Sequence, residues 1–160
     1  MRLSTKSRYG TRLLLDIALN DGGGPVRIQD SAERQKISVK YLEHIAQVLR
    51  KAGFLRSTRG KHGGHSLAME PERILLGEVI KLLEGDSCLV DCGIDNPHCN
   101  LAGSCITRMV WMEASSAMFA KLNTITLAEL VEQARNGAVA DACPGLKGQL
   151  MPAPSLALKL

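Results

Sequence analysis

The chain has 160 residues, 45% of them hydrophobic, and a formal net charge of +4. This length suits one domain, or one small domain with an appended helix and tail, and no apolar run is long enough to span a bilayer. The N-terminal sequence lacks the apolar stretch of a signal peptide. We therefore expect a cytoplasmic protein whose five cysteines stay reduced and serve as metal ligands or redox sensors.

The charge is divided unevenly along the chain. Residues 1–66 contain 13 Lys and Arg against 5 Asp and Glu, whereas residues 67–160 contain 7 against 11. A basic excess confined to one half indicates a polyanionic partner for that half. A solvated basic surface without a partner would have the same composition.

Two helices are predicted at the start of the basic half. Apolar residues at helical spacing predict a first helix over residues 5–20, which the glycines of residues 22–24 end. Ser4 or Thr5 can cap its first turn, because a hydroxyl oxygen there accepts a hydrogen bond from a free backbone N–H. A short second helix is predicted from Val26 to Gln35.

The third predicted helix has clear signals at both ends. Ser38 occupies the N-cap position, and Gly53 the position after the C-terminus. A short helix, a brief turn at Lys36-Ile37 and a capped helix with a polar outer face are typical of a helix-turn-helix, although any surface helix has a polar face. The side chains of this helix that we expect to contact DNA are Lys40, Tyr41, Glu43, His44, Gln47 and Lys51.

A basic β-hairpin is predicted directly after this helix. Residues 54–58 and 65–69 have strand composition, and the glycines between them permit a tight turn. Such a hairpin is the wing of a winged helix, which lies along phosphates or enters a minor groove. A loop that cradles a nucleotide phosphate is the alternative, but it requires a following helix, and a strand follows. The basic side chains assigned to the hairpin tip are Arg56, Arg59, Lys61, His62 and His65.

A helix predicted from Ile74 to Glu84 leads into a stretch with four of the five cysteines. Cys92, Cys99 and Cys105 have six and then five residues between them, which is neither the pattern of structural zinc knuckles nor that of ferredoxins. Thiolates suit both iron–sulfur clusters and zinc, and metal-free redox-active thiols fit the same residues. The stretch therefore indicates a sensor and leaves its ligand open.

Residues 106–122 are predicted to form a helix that is apolar around nearly its whole circumference. We expect one face to pack on its own domain and another on a second copy in a two-fold homodimer, with Met109, Val110 and Ala117 at the interface. A central core helix of a monomer would have the same pattern. Thr126 and Glu129 then predict a capping box that opens a last helix, which ends at about Arg135.

Short motifs spread along the chain together resemble one family. They are Met1–Ser4, Ile37–Glu43, Leu49–Gly53, Arg59–Gly64, Gly77–Ile80, the three cysteines, Trp111 and Ile125–Leu130. This combination, over residues 1–132, resembles the IscR-type winged helix-turn-helix transcriptional regulators, which include iron–sulfur cluster regulators, nitric-oxide sensors and the cysteine-metabolism repressor. The resemblance implies a homodimer that binds double-stranded DNA at a pseudo-palindromic operator.

The resemblance also implies an iron–sulfur cluster, [2Fe-2S] rather than [4Fe-4S], held by Cys92, Cys99 and Cys105. The chain departs from the family at the fourth ligand. Some members place a His three residues after the last cysteine, where this chain has Arg108, and others use a carboxylate near position 8, where it has Arg8. Arginine stays protonated and cannot ligate. The remaining candidates are Cys88 and His98, then Asp91, Asp95, or an exogenous thiol or water.

The expected fold is mainly α with a small β-hairpin. It divides into a winged helix-turn-helix domain (1–85), a cysteine-bearing sensor loop (86–105), a dimerisation helix with a final short helix (106–135) and a flexible tail (136–160) that contains Cys143. The expected function is transcriptional repression, with an operator affinity controlled by the cluster or thiol state. One alternative is a cluster-free regulator controlled by a partner protein or thiol oxidation. Another is a small iron–sulfur electron-transfer protein or enzyme, but no Ser/His/Asp set, P-loop or dinucleotide fingerprint occurs.

Overall fold

The computed structural model describes residues 3–85 and 104–136, and within them lie six helices and a two-stranded hairpin. The helices are α1 (Thr5–Asn20), α2 (Ile28–Gln35), α3 (Val39–Lys51), α4 (Leu76–Glu84), α5 (Ile106–Leu122) and α6 (Leu127–Arg135), and the strands are β1 (Leu55–Thr58) and β2 (Gly64–Leu67). Short 3-10 turns occupy Asp21–Gly23 and Pro71–Arg73. The predicted fold class is confirmed.

Packing of α1 against α3 forms the centre of the core. Ser4 begins α1, because its hydroxyl accepts a hydrogen bond from the Lys6 N–H at 3.1 Å. Burial of one large apolar side chain contributes about 1.5–3 kcal/mol, so the shared stripe of the two helices holds them together. Its members, each at most 1% exposed, are Leu13, Leu14, Ile17, Leu42, Ile45 and Leu49.

The turn between α2 and α3 has the predicted helix-turn-helix form. Lys36 adopts a left-handed conformation (φ 55°, ψ 46°), and the Ile37 N–H donates to the Ala32 carbonyl at 3.1 Å. Both features close the last turn of α2. Ser38 then caps α3 by accepting a hydrogen bond from the Tyr41 N–H at 3.3 Å, which confirms the predicted cap.

The second helix begins two residues later than predicted. Val26 is extended and pairs with His65 through two backbone hydrogen bonds, at 2.8 and 2.7 Å, so it acts as a third strand position beside the hairpin. Gly64 permits this approach, because a Cβ there would lie 2.5 Å from the Val26 carbonyl oxygen. Helical periodicity could not predict the start at Ile28, since the contact with His65 sets it.

The hairpin follows α3 after a short turn. Its strands are antiparallel, with Leu55 opposite Leu67 and Thr58 opposite Gly64, and both leucines are buried. They are shorter than predicted, because Phe54 belongs to the turn and β2 ends at Leu67. Gly60 supplies the positive φ, 112°, that the tip requires.

The helix predicted from Ile74 begins at Leu76 instead. Ile74 and Leu75 are extended, and Leu75 forms an isolated antiparallel bridge with Thr126 before α6. The Leu76 N–H donates to the Ile125 carbonyl and the Leu127 N–H to the Ile74 carbonyl, each at 2.9 Å. These contacts between distant segments replace the first predicted turn of α4.

The last two helices have the predicted bounds but differ in burial. Ser115 is the one buried residue of α5, whereas Leu127 and Val131 of α6 join the core. The capping box of α6 is confirmed, because Thr126 and Glu129 each accept a hydrogen bond from the backbone N–H of the other, at 3.2 Å. No helix within the described ranges is both long enough and apolar enough to cross a bilayer.

Candidate nucleic-acid interface

The outer face of α3 is polar and exposed, as the sequence predicts. Its opposite face is anchored in the core through the buried leucines and isoleucine, which fixes the orientation of the helix. The last turn adds the basic side chain of Arg50. The exposed residues among the predicted DNA contacts of this helix are Lys40, Glu43, His44, Gln47 and Lys51.

Tyr41 differs from the other predicted contacts because it is half-buried. Its hydroxyl makes a hydrogen bond with Thr5 Oγ1 at 2.8 Å, and its ring packs edge-to-face on Tyr9, with 5.8 Å between the ring centroids. The Tyr41 side chain thus joins the first turn of α3 to α1. This contact spans 36 positions, and the local pattern of the sequence does not predict it.

The tip of the hairpin concentrates exposed basic side chains. Arg59, Lys61 and His62 lie in the tip between the strands and are exposed, as is Arg56 within β1. Arg27, which precedes α2, donates from Nη2 to the Lys61 carbonyl oxygen at 2.6 Å and so holds the tip. This contact of Arg27 spans 34 positions and has no signal in the local sequence.

His65 lies in β2 opposite Ser57, one pair from the end of the strands, and differs from the other basic residues of the hairpin because its side chain is half-buried. Its backbone is paired with Val26, and its ring is half-buried, with Nδ1 lacking a hydrogen-bond partner among the described residues. Burial, and then the nearby Arg50 cation, lower the pKa of His65 below its ordinary value. The neutral form of His65 therefore predominates at pH 7, so His65 adds little positive charge to the hairpin.

A second set of polar contacts fixes α2 on α1. Asp16, only 4% exposed, accepts hydrogen bonds from Ser31 Oγ at 2.6 Å, from Arg34 at 2.7 and 2.9 Å, and from Gln35 at 3.1 Å. Burial alone would raise the pKa of Asp16, but these donors outweigh it and hold the pKa below its usual value. The helix-turn-helix is thus locked at its first helix by a buried carboxylate.

Cys105 is the one predicted cluster ligand within the described residues. It is the N-cap residue of α5, partly exposed, with its sulfur 3.1 Å from Thr107 Oγ1. The hydrogen bond with Thr107, and then the Arg108 backbone N–H, lower the pKa of this thiol, which favours the thiolate that metals bind. Cys88, Cys92, Cys99 and His98 lie outside the described residues. Within the described ranges, no group of three or more His, Cys, Asp or Glu could hold a metal ion.

The predicted interface residues on α5 are exposed in the single chain. Met109 and Val110 are 71% and 58% exposed, and Ala117 is exposed on the same helix. Ile106 and Trp111 of the same helix are also exposed, at 78% and 46%. Exposed hydrophobic patches of this kind mark surfaces that another molecule covers.

Comparisons with known proteins agree on one family. Residues 3–133 match Rrf2, described as an iron-dependent transcriptional regulator. Protein rrf2 of Nitratidesulfovibrio vulgaris is 52% identical over 134 residues, which cover 84% of this chain and 89% of that protein. The solved structure of T. potens IscR has a TM-score of 0.69 and 36% identity, covering 86% of this chain and 90% of that one. CymR, the global cysteine regulator of B. subtilis, has a TM-score of 0.67 and 32% identity, covering 82% and 97%.

Proposed function

This chain belongs to the Rrf2 family of transcriptional regulators, and on that premise we propose that it binds a pseudo-palindromic DNA operator as a homodimer whose affinity depends on its cysteines. The observation that carries the proposal is the pairing of an exposed polar face on α3 with a basic, exposed wing. Transcriptional regulators of this type read DNA and catalyse no reaction. A two-fold dimer would place two reading helices on half-sites about 10 bp apart, or a multiple of that spacing.

The two elements would divide the work of recognition. Lys40, His44, Gln47 and Lys51 would approach base edges in the major groove, where side-chain donors and acceptors distinguish base pairs. Glu43, at the centre of this face, would accept a hydrogen bond from a cytosine amino group or repel incorrect bases. The wing residues Arg56, Arg59, Lys61 and His62 would contact phosphates or a narrow minor groove.

Control of the affinity would come from an iron–sulfur cluster, [2Fe-2S] rather than [4Fe-4S], ligated by Cys92, Cys99 and Cys105. The lowered pKa of the Cys105 thiol supports this assignment, because the thiolate is the ligand form. When bound, such a cluster supplies a redox-sensitive and oxygen-sensitive centre. Cys105 begins α5, so a ligand at this residue acts directly on the proposed dimerisation helix.

Salt-dependent binding tests the DNA-binding proposal. Fluorescence anisotropy with a library of labelled duplexes should reveal sequence preference, and the affinity should fall steeply with salt, as about 6–10 phosphate contacts require. Arg59→Ala should weaken all duplexes alike, whereas Gln47→Ala should change the preference among them. A protein with no preference among duplexes at physiological salt would not be an operator-binding regulator.

A spectrum separates the cluster from the second candidate, which is a cluster-free regulator controlled by thiol oxidation or a partner protein. That candidate is favoured by the activated Cys105 thiol and by the likeness to CymR. Protein purified without oxygen should absorb near about 400 nm if thiolates hold iron and sulfide. Replacing Cys92, Cys99 or Cys105 with Ser should abolish this band, whereas Cys88→Ser and Cys143→Ser should retain most of it. A colourless protein that does not reconstitute favours thiol control.

A further inference from the structure

The last residue of α4 is bonded to the first turn of α1, eighty positions earlier in the chain. Glu84 Oε1 accepts a hydrogen bond from the Ser4 backbone N–H at 2.8 Å, and a second from the Ser7 hydroxyl. Ser7 is only 2% exposed, so this contact is shielded from water on the α1 side. Hydrogen bonds to a carboxylate are stronger than those between neutral groups. Glu84 is therefore a firm anchor for the start of α1.

An apolar contact beside Glu84 makes the same junction rigid. Gly10 of α1 lies so close to Leu83 that a Cβ at position 10 would be 2.3 Å from Leu83 Cδ1. The end of α4 thus rests on α1 through a tight apolar contact and a charged one. Since close-packed contacts do not deform continuously, a shift of the end of α4 must move the first turns of α1 with it.

The same first turns of α1 hold the start of the recognition helix. Thr5 bonds to the Tyr41 hydroxyl, and Tyr9 packs on the Tyr41 ring. Tyr41 is also the residue whose backbone N–H bonds to the Ser38 cap of α3. His44, three positions after Tyr41 and therefore its neighbour on the surface of α3, belongs to the proposed reading face. One helical turn of α1 therefore contacts both the end of α4 and the beginning of α3.

We infer that Glu84 is a positioning residue for operator recognition, which acts through Ser4 and Ser7 on α1, and through Thr5 on Tyr41, to set the orientation of α3. This inference rests on the proposed function, in which α3 reads DNA. The position of Glu84 gives it a further consequence. Only Gly85 separates Glu84 from residues 86–105, the segment that contains the proposed cluster ligands, so the contact between α4 and α1 lies next to that segment in the chain.

Affinities for two duplexes test the inference. One is the tightest binder that the wild-type protein selects from a random library, and the other is a poly(dI-dC) duplex, which reports binding without sequence recognition. Glu84→Ala should weaken the selected duplex about fivefold to tenfold, in the range by which residues that contact no ligand modulate affinity. Binding to poly(dI-dC) should change less than about twofold, because the wing and its charges are untouched. Glu84→Gln, which keeps an acceptor oxygen, should restore most of the affinity. Glu78→Ala, an exposed acid on the same helix, is the matched control.

A double-mutant cycle tests the route through α1. Thr5→Val removes only the hydroxyl that bonds to Tyr41, and it should weaken the selected duplex in the same way. If Glu84 acts through Thr5, the variant with both Glu84→Ala and Thr5→Val should bind the selected duplex within about twofold of whichever single variant has the lower affinity. Additive losses, or equal losses on both duplexes in variants with unchanged circular dichroism, would overturn the inference. If Glu84→Ala does not fold, Ser7→Ala replaces it in the cycle. A wild-type protein that selects no duplex refutes the proposed function itself, which is a different result.

Discussion

Asp16 is the residue whose contacts explain most of how the helix-turn-helix is held on α1. Its carboxylate satisfies three side chains of α2, and in return those donors offset the cost of its burial. Only the acid of the Asp16–Arg34 ion pair is buried, because Asp16 is 4% exposed whereas Arg34 is 39% exposed. Removal of the charge from Asp16 therefore leaves three donors without their acceptor.

Asp16→Asn should lower the free energy of unfolding by about 2 kcal/mol, since an amide cannot satisfy these donors and Arg34 loses its counter-ion. The effect should depend on pH. The folded-state pKa of Asp16 is depressed, so its contribution is present above the unfolded value of about 3.9 and is lost as the pH falls through the folded pKa. Urea-induced unfolding at pH 7 and pH 3 measures the loss of stability and its dependence on pH. The difference between wild type and variant should shrink at pH 3, and Asp30→Asn, at an exposed site on α2, should change little.

Lys36 is the one non-glycine residue with positive φ in the described ranges, and it connects α2 to α3. A left-handed conformation costs an L-residue about 1–2 kcal/mol. Glycine avoids this steric cost, although its greater freedom in the unfolded chain cancels part of the gain in stability. Lys36→Gly should therefore stabilise the fold by about 0.5–1 kcal/mol and raise Tm by a few degrees. Lys36→Ala removes the same charge but retains the strain, so its Tm should stay near that of wild type. Equal melting temperatures for the two variants would assign the effect to charge.

At the scale of a residue, the sequence predicts contacts that span three or four positions. Ser38 and the Thr126–Glu129 box were predicted because a cap and its backbone donor are close in sequence. Asp16 and Arg27 were missed because their partners lie 15 or more and 34 positions away. An aspartate inside an amphipathic helix gives no local sign that it is buried. The half-burial of His65 depends in the same way on its pairing with the distant Val26.

Among the elements, the wing depends on the segment before α2 for its shape. A two-stranded hairpin alone is marginally stable, and this one gains Val26 at its edge and Arg27 at its tip. The Phe54 N–H also bonds to the Leu49 carbonyl at 3.0 Å, so the wing and α3 share one base. These contacts keep the basic tip in a fixed position relative to α3.

Arg27→Ala should weaken operator binding about threefold to tenfold, because the hydrogen bond that holds the Lys61 carbonyl is worth about 0.5–1.5 kcal/mol. Arg27 is proposed to position the wing, not to contact phosphate. The slope of log affinity against log salt should therefore stay at its wild-type value, whereas Arg59→Ala should lower the slope by about one. Anisotropy titrations from 50 to 200 mM salt compare the two. A lower slope for Arg27→Ala would show that Arg27 itself contacts DNA.

The starts of α2 and α4 mark the limit of prediction for elements. In both cases two residues that fit a helical pattern are extended, since each pairs with a distant backbone: Val26 with His65, and Leu75 with Thr126. The bounds of α1, α3 and α5 follow from local caps and periodicity and were predicted correctly. The periodicity of a single segment therefore cannot predict where a β-bridge to a distant segment replaces the first turn of a helix.

At the scale of the whole molecule, α5 is a helix whose apolar side chains stay exposed in the single chain. The apolar character of α5 was predicted from the sequence. In the single chain most of this helix is accessible to solvent, because Ser115 is its one buried residue. The identity of what covers the patch does not follow from the helix itself. A second copy is the proposed occupant, because a two-fold axis lets one patch complement itself and also presents two recognition helices to one operator. Dimerisation and DNA binding should therefore fail together.

Val110→Asp tests this coupling. Val110 is 58% exposed in one chain, so the isolated subunit should tolerate the change, whereas a two-fold interface would bury the charge in both copies. An unpaired buried charge costs on the order of 3 kcal/mol, which raises the dimer dissociation constant by roughly a hundredfold or more. Sedimentation equilibrium at micromolar concentration should show dimers for wild type and for Val110→Leu, and monomers with weak operator binding for Val110→Asp. Wild-type protein that sediments as a monomer would contradict the homodimer. A monomeric variant that still binds the operator tightly would separate dimerisation from DNA recognition, because one half-site contact would then suffice.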